Sequence, residues 1–469
     1  MIFLLFSSIP FLYYFLPVVL LLYYLAPYKL KNTVILISSL AFYAFGEPRF
    51  VLIMILNILL GYIFGILIEA FHQRKWDKLF LGLSLCTSLG MLGYFKYADF
   101  FILNFNRLTG LGIPLLRIAL PVGISFYTFQ LLSYTIDVYR GRVKAQKNFV
   151  LLATYIASFP QLIAGPIVRY ADIEPQLTKR VHSIDKLALG IRRFVLGLSK
   201  KVLLANSLGE LCEIFKASKD PSILFFWLYA VSFTLHIYFD FSGYSDMAIG
   251  LGKMLGFDFP ENFNYPYISS SITQFWRRWH ISLGSWFRDY LYIPLGGNRV
   301  SSSKWLFNIF LVWFATGLWH GASWNFILWG LLYGLLLVIE KQGLYRLLER
   351  SKIGSHIYVM LFVTLGFVLF NAADLKEAAT DLGAMFGLKG YPLFSAEFWY
   401  YLRSYSVTLI ISALAATPLF SKLVASLNNR KYGALLTKIA EPVLLVALLL
   451  VNTAYLVDGS FNPFLYFRF

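Results

Sequence analysis

The chain has 469 residues, of which 58% are hydrophobic, 19% aromatic and only 14% charged, and its mean hydropathy is +0.66. Soluble domains carry about 25% charged residues, so this composition excludes an ordinary water-soluble domain. The formal net charge is +17. The basic residues lie in short clusters between apolar segments, which indicates cytoplasmic loops and contacts with anionic membrane lipids rather than nucleic-acid binding.

Apolar segments near the ~20 residues that a membrane-spanning helix needs recur along the whole chain. They predict an all-α polytopic membrane protein with about eleven crossings, some of them partial. The first segment reads as a retained helix, since no basic region precedes it and no cleavage site follows. The predicted segments are near residues 3–25, 32–45, 50–69, 79–95, 118–136, 149–168, 222–252, 305–319, 322–339, 356–372, 405–425 and 440–456.

No linker rich in Pro, Ser or Gly divides the chain, and no internal repeat is visible. We therefore predict a single membrane domain over 1–469, with a motif-bearing core at about 117–340 and less distinctive helices at about 341–469. The two cysteines, Cys86 and Cys212, lie in apolar surroundings. They predict neither a disulfide framework nor a metal site.

Segment 149–168 contains Pro160 and Gly165-Pro166, which interrupt a helix, and it also carries Gln161. A full crossing there would place the basic residues at 179–180 outside the cell, so a broken or re-entrant element is the better prediction. In segment 187–205, Arg193 and Lys200 are seven residues apart and share a helix face, while Leu189, Phe194, Leu198 and Val202 are apolar. That pattern predicts a helix lying in the membrane interface.

The next segment places His236, Asp240 and Tyr244 at intervals of four residues, with Asp246 close behind. On a helix the first three share one face. Carboxylates in such apolar surroundings must be paired, protonated or in contact with water. A structural hydrogen-bond network and a catalytic role both remain open for these two aspartates.

Residues 274–290 predict one helix whose face carries Arg277, His280, Gly284 and Arg288 beside a second face of Trp and Phe side chains. An interfacial amphipathic helix is one interpretation. A cationic mouth for a phosphorylated carrier such as coenzyme A is the other, because Arg suits phosphate contacts.

His320 lies in a tract from Trp305 to Ile339 that contains no Lys, Arg, Asp or Glu. An ionisable side chain at membrane depth is costly and is usually paired or functional. A neutral imidazole is well suited to accept a proton near neutral pH. The sequence therefore predicts a proton-transfer site at His320, inside the membrane.

Taken together, these motifs resemble the membrane-bound O-acyltransferase family, and within it the alginate O-acetylation branch with its related wall-polysaccharide and peptidoglycan O-acetyltransferases. The resemblance covers residues 1 to about 340 and is generic beyond. The matching stretches are Met1-Ile2-Phe3 with Phe6-Ser7-Ser8, Gln161 to Tyr170, Phe239 to Asp246, Phe275 to Arg299, and Trp319-His320-Gly321-Ala322.

The resemblance implies a ring of helices around a central funnel in the plasma membrane of a bacterium. It implies that His320 matches the active-site histidine of the family and His280 its second, more variable one. Acetyl from cytoplasmic acetyl-CoA would then pass to an extracytoplasmic SGNH-type esterase-like partner or to a polysaccharide, with no bound cofactor and no metal. The side chains expected to contact substrate are those of Arg277, Arg288, Gln161, Asp240, Asp246, Asn325 and Trp319.

Three alternatives remain. The first is transfer of D-alanine from a carrier protein to teichoic acid, a branch that shares both histidines. The second is a proton-coupled transporter that uses His320, Asp240 and Asp246 as a relay, although no inverted repeat of the kind many transporters show is visible. The third is a scaffold for wall synthesis, in which replacing His320 with Ala would leave acetylation unchanged.

Overall fold

The computed structural model describes residues 4–430, 432–459, 461–463 and 465. The motif at residues 1–3 therefore lies outside the described part of the chain. The described residues are mostly helical and include no β-strand, which confirms the predicted all-α class. By their contacts the residues form two compact units, Met1–Phe194 with Ser245–Pro260, and Val195–Tyr244 with Glu261–Phe469. The single domain over 1–469 stays a prediction.

The first unit is built from short and long apolar helices joined by tight connections. Its longest helix, Val51–Ala70, has 20 residues, about the length that a bilayer crossing needs. Its helices are Leu16–Leu25, Lys31–Gly46, Val51–Ala70, Lys75–Leu92, Ala98–Thr109, Ile124–Tyr139, Phe149–Ala157, Phe159–Leu162, Tyr170–Thr178 and most of Ile184–Ser199, with wider turns at Phe11–Phe15 and Gly93–Tyr97 and a tighter one at Tyr28–Leu30.

The second unit contains the histidine motifs. The helix Ile223–Met254 contributes its residues up to Tyr244 to this unit. The others are Asn206–Ala217, Ile272–Trp276, Ile281–Phe287, Ser302–His320, Trp324–Ile339, Tyr345–Leu348, Lys352–Asn371, Leu375–Met385, Ala396–Ser404, Ser406–Ala415, Leu419–Asn428 and Gly433–Asp458, with wider turns at Lys200–Ala205, Arg288–Tyr292 and Glu340–Leu344 and a tighter one at Pro266–Ile268.

Six helices among the described residues are long and apolar enough to cross a membrane, and a bent pair, Ser406–Ala415 with Leu419–Asn428, brings the number to seven. Several other apolar helices, such as Phe149–Ala157, are too short to cross alone. The chain is thus a multi-pass membrane protein. The total of about eleven crossings stays a prediction, because the described residues provide six or seven helices of sufficient length and hydropathy.

The break predicted within 149–168 is present. The helix Phe149–Ala157 ends at Ser158, whose φ of −52° and ψ of 113° are not helical, and a single turn Phe159–Leu162 follows. Gly165 then adopts a φ of +117°, which L side chains rarely adopt. The proline and glycine residues therefore terminate helix formation where the sequence indicated.

The predicted interfacial segment forms the helix Ile184–Ser199 and the wider turn Lys200–Ala205. Within the first unit, Arg193 donates to Asp246, with 2.9 Å between Nη2 and Oδ1 and 3.1 Å between Nε and Oδ1. The position of this helix at the membrane surface stays a prediction. Its part-buried arginine is held by a carboxylate.

Candidate active site

The helices Ser302–His320 and Trp324–Ile339 form a closely packed hairpin in the second unit. A Cβ atom at Gly330 would collide with the backbone oxygen of Trp313, so only glycine allows this approach. The hairpin closes just after His320, and its two open ends meet where the Lys341 ammonium lies 3.9 Å from the centre of the Trp305 ring. This hairpin fixes the position of His320.

His320 is buried in a box of aromatic rings. Trp319, Trp329 and Phe370 surround its imidazole at centroid distances of 5.0, 5.0 and 5.1 Å, and each ring is nearly perpendicular to it. Only 4% of the residue is exposed. Rings arranged in this way hold the imidazole in one orientation and keep its surroundings apolar.

His280 lies in the connection between two short helices, Ile272–Trp276 and Ile281–Phe287. Its backbone is left-handed, with a φ of 45° and a ψ of 53°. The ring of Phe241 meets the His280 ring edge to face at 4.7 Å, and Trp319 lies 5.8 Å away on a centroid basis. Because Trp319 also contacts His320, one indole ring packs against both imidazoles.

Asn262 determines which nitrogen of His280 carries the proton. Its Oδ1 accepts from the backbone N–H of Ser282 at 3.3 Å and from the Ser282 hydroxyl at 2.8 Å, so this atom is the amide oxygen. His280 Nδ1 lies 3.1 Å from the same oxygen and must donate to it. In the neutral ring the lone pair is then on Nε2. Burial lowers the pKa of His280 to about 3, so the ring is uncharged at neutral pH.

Both histidines line one cavity of about 1040 Å³. On the helix Ser302–His320 its wall consists of Trp305, Ile309, Val312, Trp313, Thr316 and His320, which recur every three or four residues and so share one face. At 1.5 Å per residue, this wall extends about 22 Å along the helix. His320 is therefore reached by a deep passage rather than sealed in the core.

The outer part of the cavity is basic. Arg277, Arg288, Lys341 and Arg346 line it, and all four are exposed. The one lining carboxylate is that of Glu340, which accepts hydrogen bonds from Ile272 N, Thr273 N and Thr273 Oγ1 at 2.5 to 2.9 Å. Arg288 pairs with Asp289, with 2.6 Å between Nε and Oδ1. With the other three basic side chains, the rim is a basic entrance that leads to two buried imidazoles.

Comparison with known proteins shows to which family the chain belongs. The family model of the membrane-bound O-acyltransferases matches residues 143–373, which include both histidines and all of the residues that line the cavity. A probable alginate O-acetylase of Pseudomonas putida is 40% identical over 483 residues, covering 99% of this chain and all of the relative. The chain belongs to the membrane-bound O-acyltransferase family. It is therefore a membrane-embedded acyl-transferring enzyme.

Two further relatives place this acyltransferase more finely. A peptidoglycan O-acetyltransferase of Helicobacter pylori is 32% identical over 514 residues, covering 99% of this chain and 98% of the relative. A teichoic acid D-alanyltransferase of Bacillus subtilis is 30% identical over 271 residues, which is 53% of this chain and 68% of the relative. The similarity to the O-acetylating relatives thus extends over the whole acyltransferase.

One structural prediction for this acyltransferase is wrong, because residues 274–290 do not form one helix. The chain leaves the helix after Trp276 and resumes at Ile281. The segment from Asn262 to Asn264 causes the break, since Asn264 N donates to Arg278 O and Ile281 N donates to Asn262 O. Tertiary hydrogen bonds replace the helical ones. Even so, the four residues of the predicted face all line the cavity: Arg277, His280, Gly284 and Arg288.

The other residues expected to contact substrate have partners within the protein. Asp240 Oδ1 lies 2.6 Å from Lys201 Nζ, and its Oδ2 accepts from Leu465 N at 3.0 Å. Asn325 Nδ2 donates to the backbone oxygen of Ala372 at 2.8 Å. Both are buried in the second unit and are not among the cavity-lining residues. Their contact with substrate stays a prediction, and the geometry favours a structural role.

Two expected residues belong to the first unit of the acyltransferase. Gln161 is fully buried, and its side-chain amide donates to the backbone oxygen of Tyr155. Asp246 pairs with Arg193. Of the three states open to an aspartate in apolar surroundings, which are paired, protonated or in contact with water, both Asp240 and Asp246 adopt the paired one. Substrate contact by Gln161 and Asp246 stays a prediction.

Sequence reasoning missed Asn262, Glu340, Lys341 and Arg346. The last three follow the apolar tract that ends at Ile339, and a basic run at such a boundary could have indicated the cavity entrance. No sequence signal pointed to Asn262. It lies 18 residues before His280, in a loop without a recognisable motif, and only the folded chain brings them together.

Proposed function

We propose that this membrane-bound O-acyltransferase transfers an acetyl group from acetyl-CoA to a hydroxyl group of a cell-surface polysaccharide or peptidoglycan. The observation that carries the proposal is the single cavity that joins an exposed basic rim to His280 and His320. The names of the full-length relatives support acetyl as the acyl group and a wall or matrix glycan as the acceptor. The D-alanyl-transferring relatives match only about half of this chain.

In the proposed reaction, the phosphates of coenzyme A bind at the rim formed by Arg277, Arg288, Lys341 and Arg346. Guanidinium groups suit phosphate oxygens because they offer several N–H donors in a planar fork. The pantetheine arm is long and thin and enters the passage. The thioester then lies at the inner end, near His320.

The chemical step needs one base. His320 accepts the proton of the acceptor hydroxyl as its oxygen attacks the thioester carbonyl carbon. The C–S bond breaks, the ester C–O bond remains, and the proton passes from the imidazolium to the departing coenzyme A thiolate. General-base assistance is typically worth about 10²–10⁴-fold, and holding donor and acceptor end to end contributes much of the rest.

His280 has a different role in this proposal. Its neutral ring offers the Nε2 lone pair, which accepts a hydrogen bond from the bound substrate and positions it. The aromatic box around His320 excludes water, and a dry thioester is protected from hydrolysis. Two imidazoles in one cavity thus divide the work of proton transfer and substrate alignment.

An extracytoplasmic SGNH-type esterase-like protein is the proposed immediate acceptor or relay. A chain embedded in the membrane can present an acetyl group at the outer surface, but a polysaccharide is too large to enter a passage that also holds the donor. A separate partner with a hydroxyl nucleophile would collect the acetyl group and deliver it to the glycan. Acetylation of the glycan, measured in membranes with and without such a partner, would test whether the partner is required.

The decisive experiment supplies radiolabelled acetyl-CoA to membranes that contain the enzyme, its esterase-like partner and the polysaccharide, and measures label in the partner and in the polysaccharide. His320→Ala should lower the rate by at least 100-fold at equal expression, because no other side chain replaces the base. An Arg277→Gln, Arg288→Gln double variant should raise the KM for acetyl-CoA about tenfold or more and leave kcat nearly unchanged. Arg299→Gln is the matched control, since Arg299 is exposed but does not line the cavity.

Two results would contradict the proposal. Unchanged acetylation in His320→Ala would favour a scaffold function. Label transfer from a D-alanyl carrier protein, but not from acetyl-CoA, would favour the D-alanyl branch instead.

A further inference from the structure

A second group of charged residues lies far along the sequence from the histidine motifs, within the first unit. Lys31 and Arg180 are each only 8% exposed. Both lie against the ring of Tyr23, with Lys31 Nζ 4.3 Å and the Arg180 guanidinium carbon 5.7 Å from its centroid. The Arg180 guanidinium also packs 4.3 Å from the centre of the Phe257 ring. We call Lys31, Arg180 and these two rings the cationic cluster.

No carboxylate neutralises the cationic cluster within the part of the chain that the structure describes. Lys31 Nζ donates to the backbone oxygen of Tyr23 at 2.8 Å, and neither cation forms an ion pair among the described residues. The Nε and Nη1 atoms of Arg180 are enclosed and have no acceptor there. Elsewhere in the same unit, by contrast, Lys186 and Lys253 both bind Asp258.

Two buried cations without a counter-charge are energetically expensive. Burial and the neighbouring Arg180 lower the pKa of Lys31, which shows that its ammonium is destabilised where it stands. The guanidinium of Arg180 stays charged, because arginine is not deprotonated in proteins. The pKa of His182, whose Nε2 lies 2.7 Å from the Tyr23 hydroxyl, is also lowered, by burial and then by Lys31, Arg180 and Lys186. The local field is therefore positive and lacks an anion.

The surface around the cationic cluster is apolar and exposed. Leu25 is 74% exposed, Leu30 52%, Val181 72% and Ile184 85%. An apolar surround of this kind suits acyl chains, and a positive centre within it suits a phosphate. A free anion would gain nothing from these four side chains.

We propose that the cationic cluster is a binding site for a phosphate group, and that an anionic phospholipid headgroup supplies it. The phosphate oxygens accept from the Nη2 side of the Arg180 guanidinium, since Nε and Nη1 are the enclosed atoms, and the ammonium of Lys31 adds a second positive charge. The acyl chains lie on Leu25, Leu30, Val181 and Ile184. This site does not depend on the proposed acetyl transfer, because its ligand, residues and unit are all different.

The test compares thermal unfolding of purified protein in neutral detergent after adding phosphatidylglycerol, phosphatidylcholine or inorganic phosphate. Phosphatidylglycerol should raise the midpoint of the wild type by several degrees, and the other two should not. Native mass spectrometry should show at least one phosphatidylglycerol retained. Lys29→Gln, which removes an exposed lysine two residues from Lys31, should behave like the wild type.

Arg180→Gln makes the test decisive even if folding changes. Without added lipid this variant should be at least as stable as the wild type, because it removes a buried charge that has no partner. It should not respond to phosphatidylglycerol. An equal response of Arg180→Gln and wild type would overturn the site. Equal protection by inorganic phosphate and phosphatidylglycerol would keep the phosphate site but overturn the assignment to a lipid.

Discussion

Replacing Asn262 with Asp should change the charge of His280 while leaving the shape of the site almost unchanged. In the wild type, burial lowers the pKa of His280 from 6.5 to about 3, so protonation there costs about 5 kcal/mol more than in water. The new carboxylate would lie about 3 Å from Nδ1, where Asn262 Oδ1 now accepts its proton.

The size of the effect follows from the charge interaction. At an effective dielectric constant of about 20, two unit charges 4 Å apart attract by about 4 kcal/mol. That attraction raises the pKa of His280 by about 3, to near 6. The wild-type ring stays neutral down to about pH 4, whereas the variant ring becomes protonated as the pH falls through 6 and loses its Nε2 lone pair.

The assay is the pH dependence of kcat/KM for acetyl transfer, measured between pH 5 and 8 on membranes. The Asn262→Asp profile should gain an acid limb near pH 6 that protonation of His280 does not produce in the wild type, because the wild-type pKa of about 3 lies below this range. Ser282→Ala is the control, because it removes one donor to Asn262 but keeps the bond to His280, and its profile should not move. Superimposable profiles for Asn262→Asp and wild type would refute the assignment of His280 as a neutral acceptor.

Three further predictions concern stability. Asp240→Asn should destabilise the protein by about 3–5 kcal/mol, because Lys201 is left buried without its charge partner. An Asp240→Leu, Lys201→Met double variant should recover both thermal stability and activity. A double variant that is stable but inactive would instead indicate catalysis by Asp240. Glu340→Ala should lower both the unfolding midpoint and kcat. Two backbone N–H groups of the segment that leads to His280 lose their acceptor, which costs about 1–3 kcal/mol each. Activity equal to that of the wild type would show that Glu340 does not position His280. The pKa of Asp381 is raised to about 6, mainly by burial and then by Glu377, while Lys216 opposes the shift. The folded state therefore loses stability as the pH rises from about 4 to 6. Asp381→Asn should raise the unfolding midpoint at pH values above 6 and leave it unchanged below pH 4.

The membrane class and the helical fold of this protein follow from its composition and from local sequence patterns. A chain that is 58% hydrophobic cannot cover its surface in water, so the membrane class and the helical fold follow from composition and from the hydrogen-bonding needs of the backbone in lipid. His320 was identifiable because a single ionisable residue stands out in an apolar tract. The break near Pro160 was predictable for a similarly local reason, since proline and glycine act on their own backbone.

Tertiary structure alone decided how the site is assembled. Residues 274–290 have helical spacing, yet hydrogen bonds from the loop at Asn262 break that helix and turn His280 into a left-handed conformation. The same loop fixes the protonated nitrogen of His280, and Glu340 anchors the preceding helix from 68 residues away. Lys201 likewise became the partner of Asp240 only on folding. Interactions between segments distant in sequence leave no periodic signal, so the sequence indicated candidate residues but not the arrangement that positions them.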